Sequence, residues 1–239
     1  MKHLLTVLTL IVLPAIAADK KPLPTSHTTR HLAGWSVRVD DRLLQGAHAT
    51  AGTRALALLE SRLVAITFVV PEKALARLRT VTIQLDYTHG DMVPMQYHPD
   101  AGWLKANGYS DKLAKCVHIP DLADFLEPQG IHGQPWVVLH ELAHAYHDQV
   151  IGSEDPRITA AWKKFRDSGK YKSVLHVSGR MREHYGVMHK AEFFAEMTET
   201  YFGSNDFYPF VAGELKQVEP EIFALLTKLW GPLPGATPQ

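Results

Sequence analysis

The sequence predicts a mixed α+β domain, with strands in its first half and helices in its second. Two patterns carry the expectation. Alternating apolar and polar residues run through "GWSVRVD" and "TVTIQLDY", the period of a strand with one buried face. Apolar residues at three- and four-residue spacing recur from residue 135 to residue 231, the period of helices with one buried stripe. The chain has 239 residues, 46% of them hydrophobic and 21% charged, enough for one core. The expected organisation is a single domain over 35–232, a small N-terminal mixed sheet packed on a central helix, and a helical C-terminal half. An exposed lead-in over 19–34 and a loose tail over 233–239 flank it.

The elements follow in order. Residues 19–31, "DKKPLPTSHTTRH", are polar with two prolines and read as exposed. Trp35, Val37 and Val39 alternate with Ser36, Arg38 and Asp40 in a strand. "TRALALLESRLVAITFVV" opens with helical spacing, and "PEKALARLR" carries Pro71 where a helix accepts proline, at its first turn. Val81, Ile83 and Leu85 share one strand face. Short strands are expected at Met95–His98 and Cys116–Ile119, on either side of a loop. A helix starts at Pro135 and ends near Gly152, with proline first and glycine last. "DPRITAAWKKFRDSG", "HKAEFFAEMTETYFG" and "PEIFALLTKLWG" are three further helices.

Composition narrows the function. Lys plus Arg is 25 and Asp plus Glu is 25, so no basic excess recommends nucleic acid or an anionic membrane as a partner. Met1-Lys2-His3, the apolar run Leu4–Leu13 and Ala15-Ile16-Ala17 form the three-part pattern of a signal peptide over 1–18, cleaved after Ala17 or Ala18. The run is short of the about 20 residues a bilayer requires. A secreted or periplasmic protein without stable membrane insertion is expected. Cys116 is the only cysteine, so no internal disulfide forms; in the apolar "AKCVHIP" it reads as a small buried hydrophobe.

The chemistry concentrates in "VVLHELAHAYHD", residues 137–148. His140 and His144 lie four apart and project from one helix face. Two neutral imidazoles there can hold one Zn²⁺, and Glu141 beside the first can take a proton from an activated water. With 14 histidines in the chain, composition alone yields about 0.04 such arrangements. The helix is otherwise apolar, and buried imidazoles and a carboxylate need partners to offset desolvation. His147 points away from His140, which gives it a supporting or surface role. Catalytic zinc keeps three protein ligands. "KAEFFAEMTETYF" offers a carboxylate, since Glu192 and Glu196 are four apart on an apolar helix; one can bind metal while the other accepts a hydrogen bond from a ligand histidine. Glu199 belongs with them if the stripe is instead solvated.

"HELAH" followed by "EFFAE" resembles the gluzincin zinc peptidases, and most closely those whose catalytic domain is like that of anthrax lethal factor. The resemblance covers 137–148 and 183–202; "YFGSNDFYPF" looks like the continuation in related proteins, and the N-terminal third matches no named family. It implies a zincin-like fold with one Zn²⁺ per chain, held by His140, His144 and Glu192, and Glu196 supporting a ligand histidine. Tyr185, seven residues before Glu192, takes the position of the family's catalytic tyrosine. His184 and His189 flank it, and spacing selects neither. The implied activity is a secreted metalloendopeptidase acting on peptides or proteins, with Glu141 as general base. A catalytically silent zinc-binding module and a zinc hydrolase of a non-peptide amide fit the same ligands.

Overall fold

The computed structural model describes residues 21–235; the expected signal peptide over 1–18 lies outside them. The described residues form a mixed α+β domain. The first half holds β1 (His27–Leu32), β2 (Trp35–Asp40), α1 (Ala49–Val69), α2 (Glu72–Leu78), β3 (Ile83–Leu85), β4 (Gln96–Tyr97), α3 (Ala101–Ala106) and β5 (Val117–Ile119). Then come α4 (Leu122–Phe125), α5 (Pro128–Gly133), α6 (Val137–Tyr146), α7 (Pro156–Asp167), a hairpin of β6 (Val174–Leu175) and β7 (Met181–Arg182), α8 (Lys190–Phe202), α9 (Ala212–Val218) and α10 (Pro220–Trp230).

The sheet order is β1-β2-β3-β5-β4. β2, β3 and β5 run parallel, while β1 and β4 are antiparallel edges. Val37, Val39, Ile83, Leu85, Val117 and Ile119 are all buried in the main core, because alternation sends every second side chain to the same face. α6 packs on that face, α8 packs on α6, and α10 packs on α8. Trp230 of α10 stacks on Tyr146 at 4.0 Å and on Phe194 at 5.8 Å, and its indole N–H donates to Thr198 Oγ1 at 3.0 Å. Each large apolar side chain sealed this way contributes roughly 1.5–3 kcal/mol, and together they fix α8 against α6.

The lead-in expected over 19–34 is a strand from His27 onward. Its side chains are mostly exposed, as an edge strand allows, and its register comes from a two-residue turn. Ala33 and Gly34 both have positive φ, 48° and 97°, the geometry that matches strand twist in a tight hairpin. The Ala-Gly pair before an alternating stretch is a weak signal because alanine rarely adopts that conformation. α3, α4, α5 and α9 are too short for periodicity to reveal. The helix expected from Pro135 begins at Val137 and passes through a π-type turn, His147–Ile151, before Gly152, whose φ of 98° suits glycine.

α1 lies close beneath the turn after β2. A Cβ on Gly52 would sit 2.0 Å from the Leu43 carbonyl oxygen, and backbone cannot rotate away. Gly52→Ala is expected to lower stability by about 1–3 kcal/mol, the range for overpacking, read as a lower urea midpoint; an unchanged midpoint would mean that α1 does not approach this closely.

Candidate metal centre

α6 and α8 bring their polar residues together across an otherwise apolar interface. His140 Nε2 lies 3.2 Å and His144 Nε2 3.4 Å from Glu192 Oε2. A tetrahedral ion with bonds of about 2.0–2.1 Å places its ligand atoms about 3.3 Å apart, and both imidazole-to-carboxylate separations match that spacing. The donor set is two imidazoles and one carboxylate.

The electrostatics favour a cation. Burial opposes charge on His140, yet hydrogen bonds with Glu192 and Glu199 more than offset it and hold its pKa well above the ordinary value. Burial likewise opposes charge on Glu192, and His140 and His144 outweigh it, leaving the carboxyl far below its usual range. Glu141 is 8% exposed. Burial raises its pKa, and the two histidines only partly counter this. Its Oε2 accepts the backbone N–H of Tyr97 at 2.7 Å.

The support of the ligand histidine differs from the expectation. Glu196 is not the partner of His140: its Oε1 is 3.7 Å from Nδ1, whereas Glu199 Oε1 is 2.7 Å away. Seven residues separate Glu192 from Glu199, two full turns, so Glu199 returns to the face that meets α6. Glu199 is 1% exposed, which rules out a solvated stripe. Glu196 instead accepts from Asn205 Nδ2 at 3.0 Å. Burial, followed by the charge of Glu199, pushes its carboxyl well above the usual range; burial raises Glu199 too, against the pull of its hydrogen bond with His140. "SND" after α8 therefore places a side chain under the centre, a role no spacing argument reveals.

The remaining residues sort by position. His140, Glu141, His144, Glu192 and Tyr185 line one cleft of about 960 Å³, together with Pro94–Tyr97, His147 and His189. Tyr185 is 42% exposed there; burial and then the charge of Glu192 raise its pKa. His147 is buried against Phe194 rather than at the surface: it lies seven residues, nearly two full turns, after His140, which returns it to the same helix face instead of directing it away. β4 is an edge strand beside the cleft, but the Tyr97 N–H is committed to Glu141, and the Tyr97 hydroxyl donates to Asp148 at 2.6 Å. Cys116 is buried, and burial raises its thiol to about 11, which makes it a poor nucleophile.

No protein-family model, no curated protein and no solved structure matches this chain.

His189 caps α8, accepting from the Ala191 N–H at 3.2 Å. His184 is a core residue, fully buried among Phe165, Tyr171 and Phe207. Burial lowers its pKa from 6.5 to about 3. A folded pKa below the unfolded one means that the unfolded chain binds the proton first, so this contribution is complete above about 6.5 and is lost as pH falls toward about 3. The urea midpoint is expected to fall from about pH 7 to about pH 4, and to fall less in His184→Gln; an equal fall in both would assign the acid sensitivity elsewhere.

Proposed function

We propose that this protein is a zinc-dependent metallopeptidase with a zincin-like catalytic core. The reading rests on one observation above all: two imidazole nitrogens four residues apart and a carboxylate oxygen from a second helix, spaced 3.2 and 3.4 Å, with a further carboxylate beside them in a large cleft. The donors fit Zn²⁺, which favours imidazole and carboxylate ligands and, in catalytic sites, keeps one position open. His140, His144 and Glu192 would hold it. Bound there, zinc supplies Lewis acidity toward a water and a scissile carbonyl.

The protein's own groups do the rest. Glu141, with its pKa raised by burial, takes a proton from the attacking water and returns it to the leaving amine, a shuttle that works best when the carboxyl pKa lies near the working pH. The Tyr97 N–H holds one Glu141 oxygen and leaves the other for the water. Tyr185, exposed in the cleft, donates its hydroxyl to the developing oxyanion. Glu199 fixes the His140 tautomer by accepting from Nδ1, which directs the Nε2 lone pair toward the metal. The substrate class is a peptide or protein, and the sequence pattern of residues 1–18 suits a secreted or periplasmic enzyme.

The decisive test is cleavage of a mixed peptide library by the zinc-loaded protein, read by mass spectrometry beside Glu141→Gln. Cleavage by the parent protein alone, with zinc retained in both, is expected. Bound zinc without cleavage by either would favour a binding module or a non-peptide amide as substrate. A chain that retains no zinc would end the metallopeptidase reading.

The supporting role of Glu199 has its own consequence. Glu199→Ala is expected to weaken zinc binding by about 10–100-fold, the usual cost of losing a ligand's hydrogen-bond partner. Glu196→Gln, which keeps an acceptor for Asn205, is expected to cost less in competition titrations with a chromophoric chelator. The reverse ranking would restore Glu196 as the supporting group.

A further inference from the structure

A second polar cluster lies on the other face of the sheet. Asp86 follows β3 and is fully buried. Its Oδ2 meets His89 Nδ1 at 2.7 Å and His118 Nε2 at 2.8 Å, and its Oδ1 meets His27 Nε2 at 2.7 Å. Gln84 Nε2 donates to Oδ2 at 2.8 Å. His118 is fully buried and His89 nearly so, while the His27 side chain is 22% exposed and opens the cluster to solvent.

The charge balance of this aspartate is unlike that of its neighbours. Asp40, buried on β2, is paired with Arg42, and buried Asp121 is paired with Lys21. Among the described residues, the ion-pair partners of Asp86 are imidazoles alone. A buried carboxylate without a permanent cation is costly, and three imidazole nitrogens converge on it.

The geometry points to a second metal site, in which Asp86, His89 and His118, with His27 as the fourth ligand, bind a transition dication of the zinc or cobalt type. Three nitrogens and one carboxylate suit such an ion. The present separations of 2.7–2.8 Å are hydrogen-bond distances, so the imidazoles turn outward by about half an ångström to reach bond lengths of about 2.0–2.2 Å. No proton need leave the cluster. When His118 ligates through Nε2 its proton moves to Nδ1, which lies 3.1 Å from His98 Nε2 and donates to it, the partnership that orients ligand histidines. His27 stands on β1, His89 in the segment after β3, and His118 on β5. The ion would pin these three parts together behind β4, and His98 follows Tyr97, whose N–H holds Glu141.

The test is metal stoichiometry of the chelator-stripped full chain, titrated with Co²⁺ and with Zn²⁺ by calorimetry and checked by elemental analysis. The parent protein, His140→Ala/His144→Ala and His118→Gln are compared. Two ions in the parent and one in each variant are expected, with a tetrahedral Co²⁺ spectrum persisting in the double variant. Binding at the second site weakened by about 10–100-fold in His98→Gln would support the orienting role. One ion in the parent and none in the double variant would overturn the second site and leave the first. One ion in both would overturn the first and keep the second. Circular dichroism establishes that each variant is folded, and if His118→Gln is not, His27→Gln, at the exposed rim, replaces it with the same expected loss of one ion.

Discussion

The interface between α6 and α8 must bury carboxylates and imidazoles together. Glu141, Glu196, Glu199 and His140 are each no more than 8% exposed, and no lysine or arginine pairs with them among the described residues. Desolvated charges of this kind are tolerated only when they satisfy one another or share a cation. The apolar packing around them supplies the rigidity. Val138, Leu139, Leu142, Phe193, Phe194 and Met197 are buried on the same two helices, and α10 seals the far side of α8.

That constraint explains why three carboxylates on one helix behave differently. Glu192 stands at the rim, beside both imidazoles, and is strongly ionised. Glu199 sits at the base and bonds the far nitrogen of His140. Glu196 lies between them, where burial and then the charge of Glu199 oppose its ionisation, and it turns to Asn205. A spacing of four residues relates Glu192 to Glu196 and a spacing of seven relates Glu192 to Glu199. Both spacings keep a residue on one helix face, so position along the interface, not periodicity, assigns the roles.

The sheet joins the two polar centres. One face carries the apolar side chains that pack on α6, and the other carries Gln84, Asp86 and His118. Between them, β4 sends the Tyr97 N–H to Glu141, and the next residue, His98, reaches His118. This two-residue strand and the residue that follows it thus touch both the cleft and the cluster behind it. The burial of Tyr97, together with its bond to Asp148, which pushes the hydroxyl far above its ordinary pKa, anchors that link.

The sequence by itself determined the mixed α+β class, the strands around Val37, Ile83 and Val117, the long helices, and the placing of His140 and His144 on one face with Glu141 beside the first, because these follow from local periodicity and helix geometry. It also pointed to the second helix, since a carboxylate pair among phenylalanines requires a cation. Only the tertiary structure decided that Glu199 rather than Glu196 reaches His140, that residues 27–32 join the sheet, and that four histidines spread from residue 27 to residue 118 gather near Asp86. Each of these depends on contacts between residues far apart in the chain, which no local period encodes.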